Sequence, residues 1–209
     1  MMKNFLMLIV VFFLAFCSGC SREIPTNEQP MYGNIPRTAY EQKVDEQFIN
    51  TVVKQFGSRK TAAKKHIEFA WHYYHNGDSR TAMKRFNQAW LLDPNNAEVY
   101  FGFGLLMSEQ KRPDEAIDLY TKAIQLNPNY AKAYHNRALD YCRKGDFNQG
   151  ISDFSKAIKN EPNNGQAYND RAVAYFEIRE NEKSWNGVNM AEEVGYKPHQ
   201  GFLAALKKA

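Results

Sequence analysis

An all-α solenoid of stacked antiparallel helix pairs is predicted for this 209-residue chain by three features of its sequence. Pro94, Pro128 and Pro162 recur at 34-residue spacing, each followed by Asn, at Asn95, Asn129 and Asn163. Bulky residues keep the same register, with Tyr100, Tyr134 and Tyr168 in one column and Tyr73, Met107, Tyr141 and Tyr175 in another. A third column is small throughout: Ala89, Ala123, Ala157 and Ala191. A fixed period of this length marks supersecondary units that cannot bury their apolar faces alone and so stack on their neighbours.

The elements follow in chain order. Residues 1–19 read as an export signal peptide. Lys3 gives a positive start, and Phe5 to Phe16 are apolar without interruption, too short a run to span a bilayer. Cys17-Ser18-Gly19-Cys20 comes next and resembles the lipobox of bacterial lipoproteins, although Cys17 stands where that family favours Leu. The resemblance implies cleavage before Cys20, which becomes the acylated first residue; an ordinary secretory leader with two incidental cysteines is the alternative. One acyl chain holds a protein only marginally, whereas the several carried by such lipoproteins give a lasting membrane anchor. In an envelope with two membranes, Ser21 rather than Asp after the cysteine implies the outer membrane, with the body facing the periplasm. Cys142 is then the last unmodified cysteine, which excludes an internal disulfide and makes it a small apolar filler rather than a reactive thiol.

Residues 20–37 are polar and punctuated by Pro25, Pro30, Gly33 and Pro36, the composition of a flexible tether. Thr38 and Glu41 form a capping-box pattern, and Val44, Phe48, Val52 and Phe56 recur every four residues up to Gly57. One amphipathic capping helix over 38–57 follows. Four helix pairs then occupy 58–96, 97–130, 131–164 and 165–198, and Phe202, Leu203 and Leu206 stripe a final capping helix in 199–209. Within each pair, Ala, Gly or Ser stands where the two helices approach most closely, while Phe86, Tyr120 and Phe154 fill the space between pairs. Gly77 and Gly145 suit tight turns inside their pairs, and Pro113 suits a first helical position.

The spacing of Ala70, Tyr73, Ala82, Phe86, Ala89 and Pro94, repeated through Pro128 and Pro162, resembles the tetratricopeptide repeat. The fourth unit keeps Tyr168, Ala172, Tyr175, Ser184 and Ala191 but displaces its proline to Pro198, so it is degenerate. The resemblance implies a right-handed superhelix whose first helices line a concave, partner-binding groove. Carried over position by position, the groove residues are Ile67, Trp71 and Tyr74; Phe101 and Leu105; Lys132, His135 and Leu139; and Asn169, Val173 and Phe176. This wall is mostly apolar and aromatic, suited to a helix or extended segment of another protein. The carboxylate clamp of the best known members would fall on Ile67, Trp71, Gly102, Lys132 and Asn136, and Lys132 alone matches it. Similar repeat lipoproteins serve pilus or secretin assembly, outer-membrane assembly, or the organisation of peptidoglycan hydrolases. The alternative is self-association, with the concave face packed on a second copy.

Other chemistries find little footing. The chain has 27 basic and 23 acidic residues, and removing Lys3 with the leader leaves 26 against 23, interleaved along the helices rather than gathered into a nucleic-acid surface. His66, His72 and His75 are close in sequence, but their spacing does not set all three on one helical face. Asp114, Glu115 and Asp118 belong to the first turns of a helix, where carboxylates favour the dipole. No phosphate loop or nucleophile elbow is present, so neither a catalytic residue nor a cofactor is expected.

Overall fold

The computed structural model describes residues 26–209; the expected leader over 1–19 and the lipidated Cys20 lie outside them. Among the described residues there are ten α-helices and no strand. α1 (Ala39–Phe56) precedes four antiparallel pairs: α2 (Arg59–His75) with α3 (Ser79–Leu92), α4 (Ala97–Glu109) with α5 (Pro113–Leu126), α6 (Ala131–Arg143) with α7 (Phe147–Asn160), and α8 (Gly165–Glu177) with α9 (Asn181–Glu193). α10 (Gln200–Leu206) closes the array against α9. Each pair packs on the next, and the core is a series of apolar clusters along the stack, the largest spanning the first two pairs.

The turn inside every pair has one backbone solution. Gly77, Lys111, Gly145 and Arg179, spaced 34 apart, all take positive φ, at 78°, 59°, 84° and 62°. The residue after each donates its amide to the carbonyl five back: Asp78 to Tyr73, Arg112 to Met107, Asp146 to Tyr141 and Glu180 to Tyr175, at 2.9–3.0 Å. This is the Schellman closure, which satisfies carbonyls the helix end would otherwise strand. Two units use glycine, for which positive φ is free; Lys111 and Arg179 accept a steric cost of about 1–2 kcal/mol each because the packed helices on both sides dictate the same turn.

Between pairs, Phe86, Tyr120 and Phe154 are fully buried. Tyr120 lies so close over Gly104 that a Cβ there would come to 2.5 Å of the Tyr120 ring, which is why this position of the second unit is glycine. The small columns hold: Ala70, Ala82, Ala116, Ala138, Ala157 and Ala172 all have no accessible surface. At the C-terminal end, Phe202 and Leu203 of α10 pack on Val188 and Leu206, while Ala172 and Phe176 complete the contact.

α1 begins with the capping box read from the sequence: Glu41 donates its amide to Thr38 Oγ1 at 3.3 Å and accepts from the Thr38 amide at 2.8 Å. Its apolar face, Phe48, Val52 and Phe56, covers Ala62, Ala63 and Leu92. His66 is sealed into this contact, 4% exposed, edge-on to Phe48 (5.3 Å), Phe56 (6.4 Å) and Phe69 (5.9 Å). Burial, and then the Arg85 guanidinium, hold its pKa below the ordinary 6.5. The unfolded chain therefore takes up the proton first. The stabilisation is whole above about pH 6.5 and is lost as pH falls toward the depressed folded value. Acidification from about pH 7.5 to about pH 5.5 should lower the thermal midpoint of the wild type more than that of His66→Leu; equal shifts would show that His66 does not couple pH to this contact.

The stretch read as a flexible tether over 20–37 is different in its described part. Residues 26–34 form two short 3-10 turns, Thr26–Glu28 and Pro30–Asn34, lying on α3. The cause is a set of distant partners. Asn87, wholly buried, accepts from the Tyr32 amide at 3.3 Å and donates to the carbonyls of Asn27 (3.1 Å) and Gln29 (2.8 Å). Glu28 pairs with Arg80 at 2.6 Å and Lys84 at 3.4 Å. Tyr32 is buried under the Arg37 guanidinium, 4.4 Å from its ring, and burial pushes its phenol up to about 12. Arg37 in turn forks onto Asp45 of α1 at 2.9 and 3.0 Å. These contacts hold Met31, Tyr32, Gly33 and Asn34 in the left-handed region. Asn87→Ala removes all three of these bonds, at about 1–3 kcal/mol for each backbone group that stays buried and unpaired. The expected result is release of the strap: hydrogen exchange of the Tyr32 amide rises sharply while α6–α9 keep wild-type protection.

Candidate functional site

The inner wall is built from the first helix of each pair, since α2, α4, α6 and α8 lie side by side. At one end Trp71 stands edge-on to Phe86 (5.1 Å) and Tyr74 (5.6 Å) and leans on Phe101 (5.9 Å). Its indole N–H donates to Glu98 Oε1 at 2.7 Å, so a carboxylate from the next unit sets the ring's orientation. Burial and the neighbouring Glu109 raise the Tyr74 phenol above its usual range.

Four of the residues expected to face a partner are covered by the chain itself. Ile67 and Phe101 are each 5% exposed. Ile67 belongs to the main core, and Phe101 is roofed by Tyr130 at 5.0 Å and by Tyr120 at 5.9 Å. His135 is buried against Phe154 (5.4 Å), with Nε2 2.9 Å from Asp170 Oδ2, and Asn169 is buried beside it, donating to Asp170 Oδ1 at 3.2 Å. Phe176 keeps partial exposure but leans on Phe202 of α10 at 5.8 Å. The accessible wall therefore consists of half-buried Trp71, Tyr74, Leu105, Leu139 and Val173, with exposed Lys132 among them.

A polar network braces this wall. Arg143 donates to Ser108 Oγ (2.7 Å) and Asp140 Oδ1 (2.5 Å), and Ser108 donates to the same carboxylate oxygen at 3.0 Å, tying α4 to α6. Asp140 is 1% exposed. The sequence pattern sets Glu98 on the groove side of the second unit but does not single out Asp140, Asp170 or Tyr130. A signal existed for Asp140: its register partners 34 residues either way are Leu106 and Ala174, so a carboxylate stands between two apolar neighbours.

Cys142 is half-buried, and burial first, then the carboxylates of Asp170, Asp146 and Glu177, push its thiol up to about 11. A thiol so protonated is a poor nucleophile. The three N-terminal histidines diverge: His66 faces α1, His72 meets Asn76, and His75 Nδ1 lies 2.7 Å from the Trp71 carbonyl. Among the described residues no group of three or more His, Cys, Asp or Glu side chains is placed to hold a metal, and no helix is long and apolar enough to cross a membrane.

Tetratricopeptide repeat family profiles match residues 73–136 and 131–164. A comparison with curated protein sequences finds no match. Among solved structures, a crystal structure of MamA superposes with TM-score 0.60 at 23% identity, covering 77% of this chain and 96% of that one. Pseudomonas aeruginosa PilF gives TM-score 0.60 at 20% identity, covering 75% and 78%. The first tetratricopeptide domain of Spaghetti (RPAP3), solved with an HSP90 peptide, gives TM-score 0.51 at 28% identity, covering 56% and 91%. The fold is thus an all-α tetratricopeptide-type solenoid, with recognisable repeats across residues 73–164.

Proposed function

We propose that this tetratricopeptide array is a non-catalytic adaptor or assembly factor of the bacterial cell envelope, anchored to a membrane through Cys20 and receiving a segment of another protein on its concave face. The observation that carries the reading is the wall of Trp71, Tyr74, Leu105, Leu139 and Val173, apolar and aromatic side chains left half-open. Aromatic and branched side chains held in place from behind offer large contact area at little entropic cost. Trp71 is held by Phe86 and Glu98, and the α4–α6 seam is held by the Ser108, Asp140 and Arg143 network. A similar array accommodates an HSP90 peptide, which supports peptide capture as a use of this architecture.

The envelope assignment rests on the signal peptide and on Cys17-Ser18-Gly19-Cys20, with Ser21 favouring the outer membrane and a periplasmic body. Pilus or secretin, outer-membrane and peptidoglycan assembly systems are the settings this combination fits. The docked strap adds a geometric consequence. Thr26 is six residues from Cys20, a reach of at most about 20 Å when extended. The array would therefore sit close to its membrane rather than at the end of a long leash.

Metabolic labelling with a palmitate analogue tests the anchor. The wild type should carry label and sediment with membranes, and Cys20→Ser should lose both; label retained by Cys20→Ser would contradict it. Light scattering on the chain beginning at Ser21 tests the self-association alternative. A monomer is expected, whereas a dimer dissolved by Trp71→Ser would assign the groove to a second copy.

A further inference from the structure

Between α6, α7 and α8 the concave wall dips into a cavity of about 110 Å³, with Leu139, Cys142, Phe154, Val173 and Ala174 around it and Asp170 at its edge. Its size suits one aliphatic side chain: an enclosed cavity of about 150 Å³ lined by Leu, Ile and Phe takes up benzene. Apart from Asp170 the walls are apolar, so water gains little there and an apolar group gains its full transfer energy.

The surroundings carry the opposite sign to a carboxylate clamp. Asp170, Asp146 and Glu177 are all close enough for their charge to be felt at Cys142. Of the cations near it in sequence, Arg143 pairs with Asp140, Lys144 with Asp114, and Arg171 turns to Ser155 Oγ at 3.1 Å. Asp170 itself is fixed by His135 and Asn169 from one side. The same Asn169 leaves its own Oδ1 buried with no hydrogen-bond partner. An apolar hole rimmed by net negative charge selects a particular partner chemistry.

We propose that this cavity is the specificity subsite of the groove, taking a Leu, Ile or Met side chain of the partner segment that is flanked in sequence by Lys or Arg. The inference rests on the groove reading above and narrows it: the favoured segment is basic with one apolar anchor, not an acidic tail.

The test uses the full chain in detergent and four fluorescent peptides read by anisotropy. One carries Leu between Lys and Arg, one has that Leu replaced by Ala, one has Glu on both flanks, and one has Ala with Glu flanks. The Leu peptide with basic flanks should bind at least about tenfold tighter than either single change, the scale expected for losing a buried aliphatic side chain. Its advantage over the Glu-flanked peptide should shrink at high salt. Val173→Trp, which fills the cavity from its rim, should erase the Leu-over-Ala preference, while Trp71→Ser, far along the wall, should leave that preference in place. Binding that ignores both the anchor and the flanking charge would overturn the subsite while sparing the groove. Binding by none of the peptides would also overturn it, and the groove reading would then stand or fall on crosslinking in cells.

Discussion

Asp153→Asn, with Arg137 left in place, should cost about 3–5 kcal/mol of stability, because it strands a guanidinium that has lost its counter-charge away from water. Asp153 is 1% exposed and receives Arg137 through two bonds, 2.6 Å from Nε and 3.0 Å from Nη2. Arg137 also reaches Thr121 of α5 at 2.7 Å, and Lys156 shares the carboxylate at 3.2 Å. One guanidinium thus joins α5, α6 and α7, across the junction of the second and third units. The pair itself need not be strongly stabilising, since two charges were desolvated to make it. The double replacement Arg137→Met with Asp153→Leu should therefore recover most of the loss. Chemical denaturation of the single and double variants measures this directly. Hydrogen exchange should place the single variant's weakness in α5–α7, as expected where each unit contacts only its neighbours. A cost below about 1 kcal/mol for Asp153→Asn would mean that the pair is hydrated in solution.

Phe86→Ala should cost a similar 3–5 kcal/mol and should also damage the groove. The ring is fully buried, edge-on to Phe103 at 6.1 Å and behind Trp71 at 5.1 Å. Removing it leaves a cavity at the first inter-unit junction and takes away the support of the most prominent aromatic on the wall. Gly102 supplies an internal control. A Cβ there would collide with the Phe86 ring, so Gly102→Ala alone should be destabilising. In the Phe86→Ala background the same methyl enters empty space and should cost nothing or restore part of the loss. Additive effects of the two substitutions would contradict the packing described for this junction.

The repeat was legible because it rests on short-range chemistry that writes itself into residue type at fixed spacing. Proline and asparagine open the turns between the repeat units, alanine, glycine or serine marks each close approach, and Phe86, Tyr120 and Phe154 fill the junctions. Lys111 and Arg179 show the limit of that legibility. Neither residue type announces positive φ, yet both adopt it, because the packed helices on either side leave one turn geometry. The strap was opaque for a related reason. Thr26 to Asn34 is polar and proline-bearing, and what orders it is Asn87, Arg80 and Lys84, more than fifty residues away. Helical phase puts Trp71 and Phe101 side by side, as their rings 5.9 Å apart are, but it carries no information on whether a later unit covers them. Tyr130 covers Phe101, while among the described residues nothing comparable closes over Trp71, which stays half-exposed. The buried carboxylates Asp140 and Asp153 left a faint trace, each standing where the preceding unit has Leu and the following unit a small residue, Leu106 and Ala174 for one, Leu119 and Gly187 for the other.

Site-specific photo-crosslinking in cells tests the central claim most directly, with the photoreactive residue placed at Lys132 on the concave wall or at Lys122 on outer helix α5, both exposed. The account predicts one defined adduct with a protein other than this chain from position 132, weakened by Trp71→Ser, and no such adduct from position 122. Adducts confined to position 122, or a position-132 adduct made only with a second copy of this chain, would contradict it.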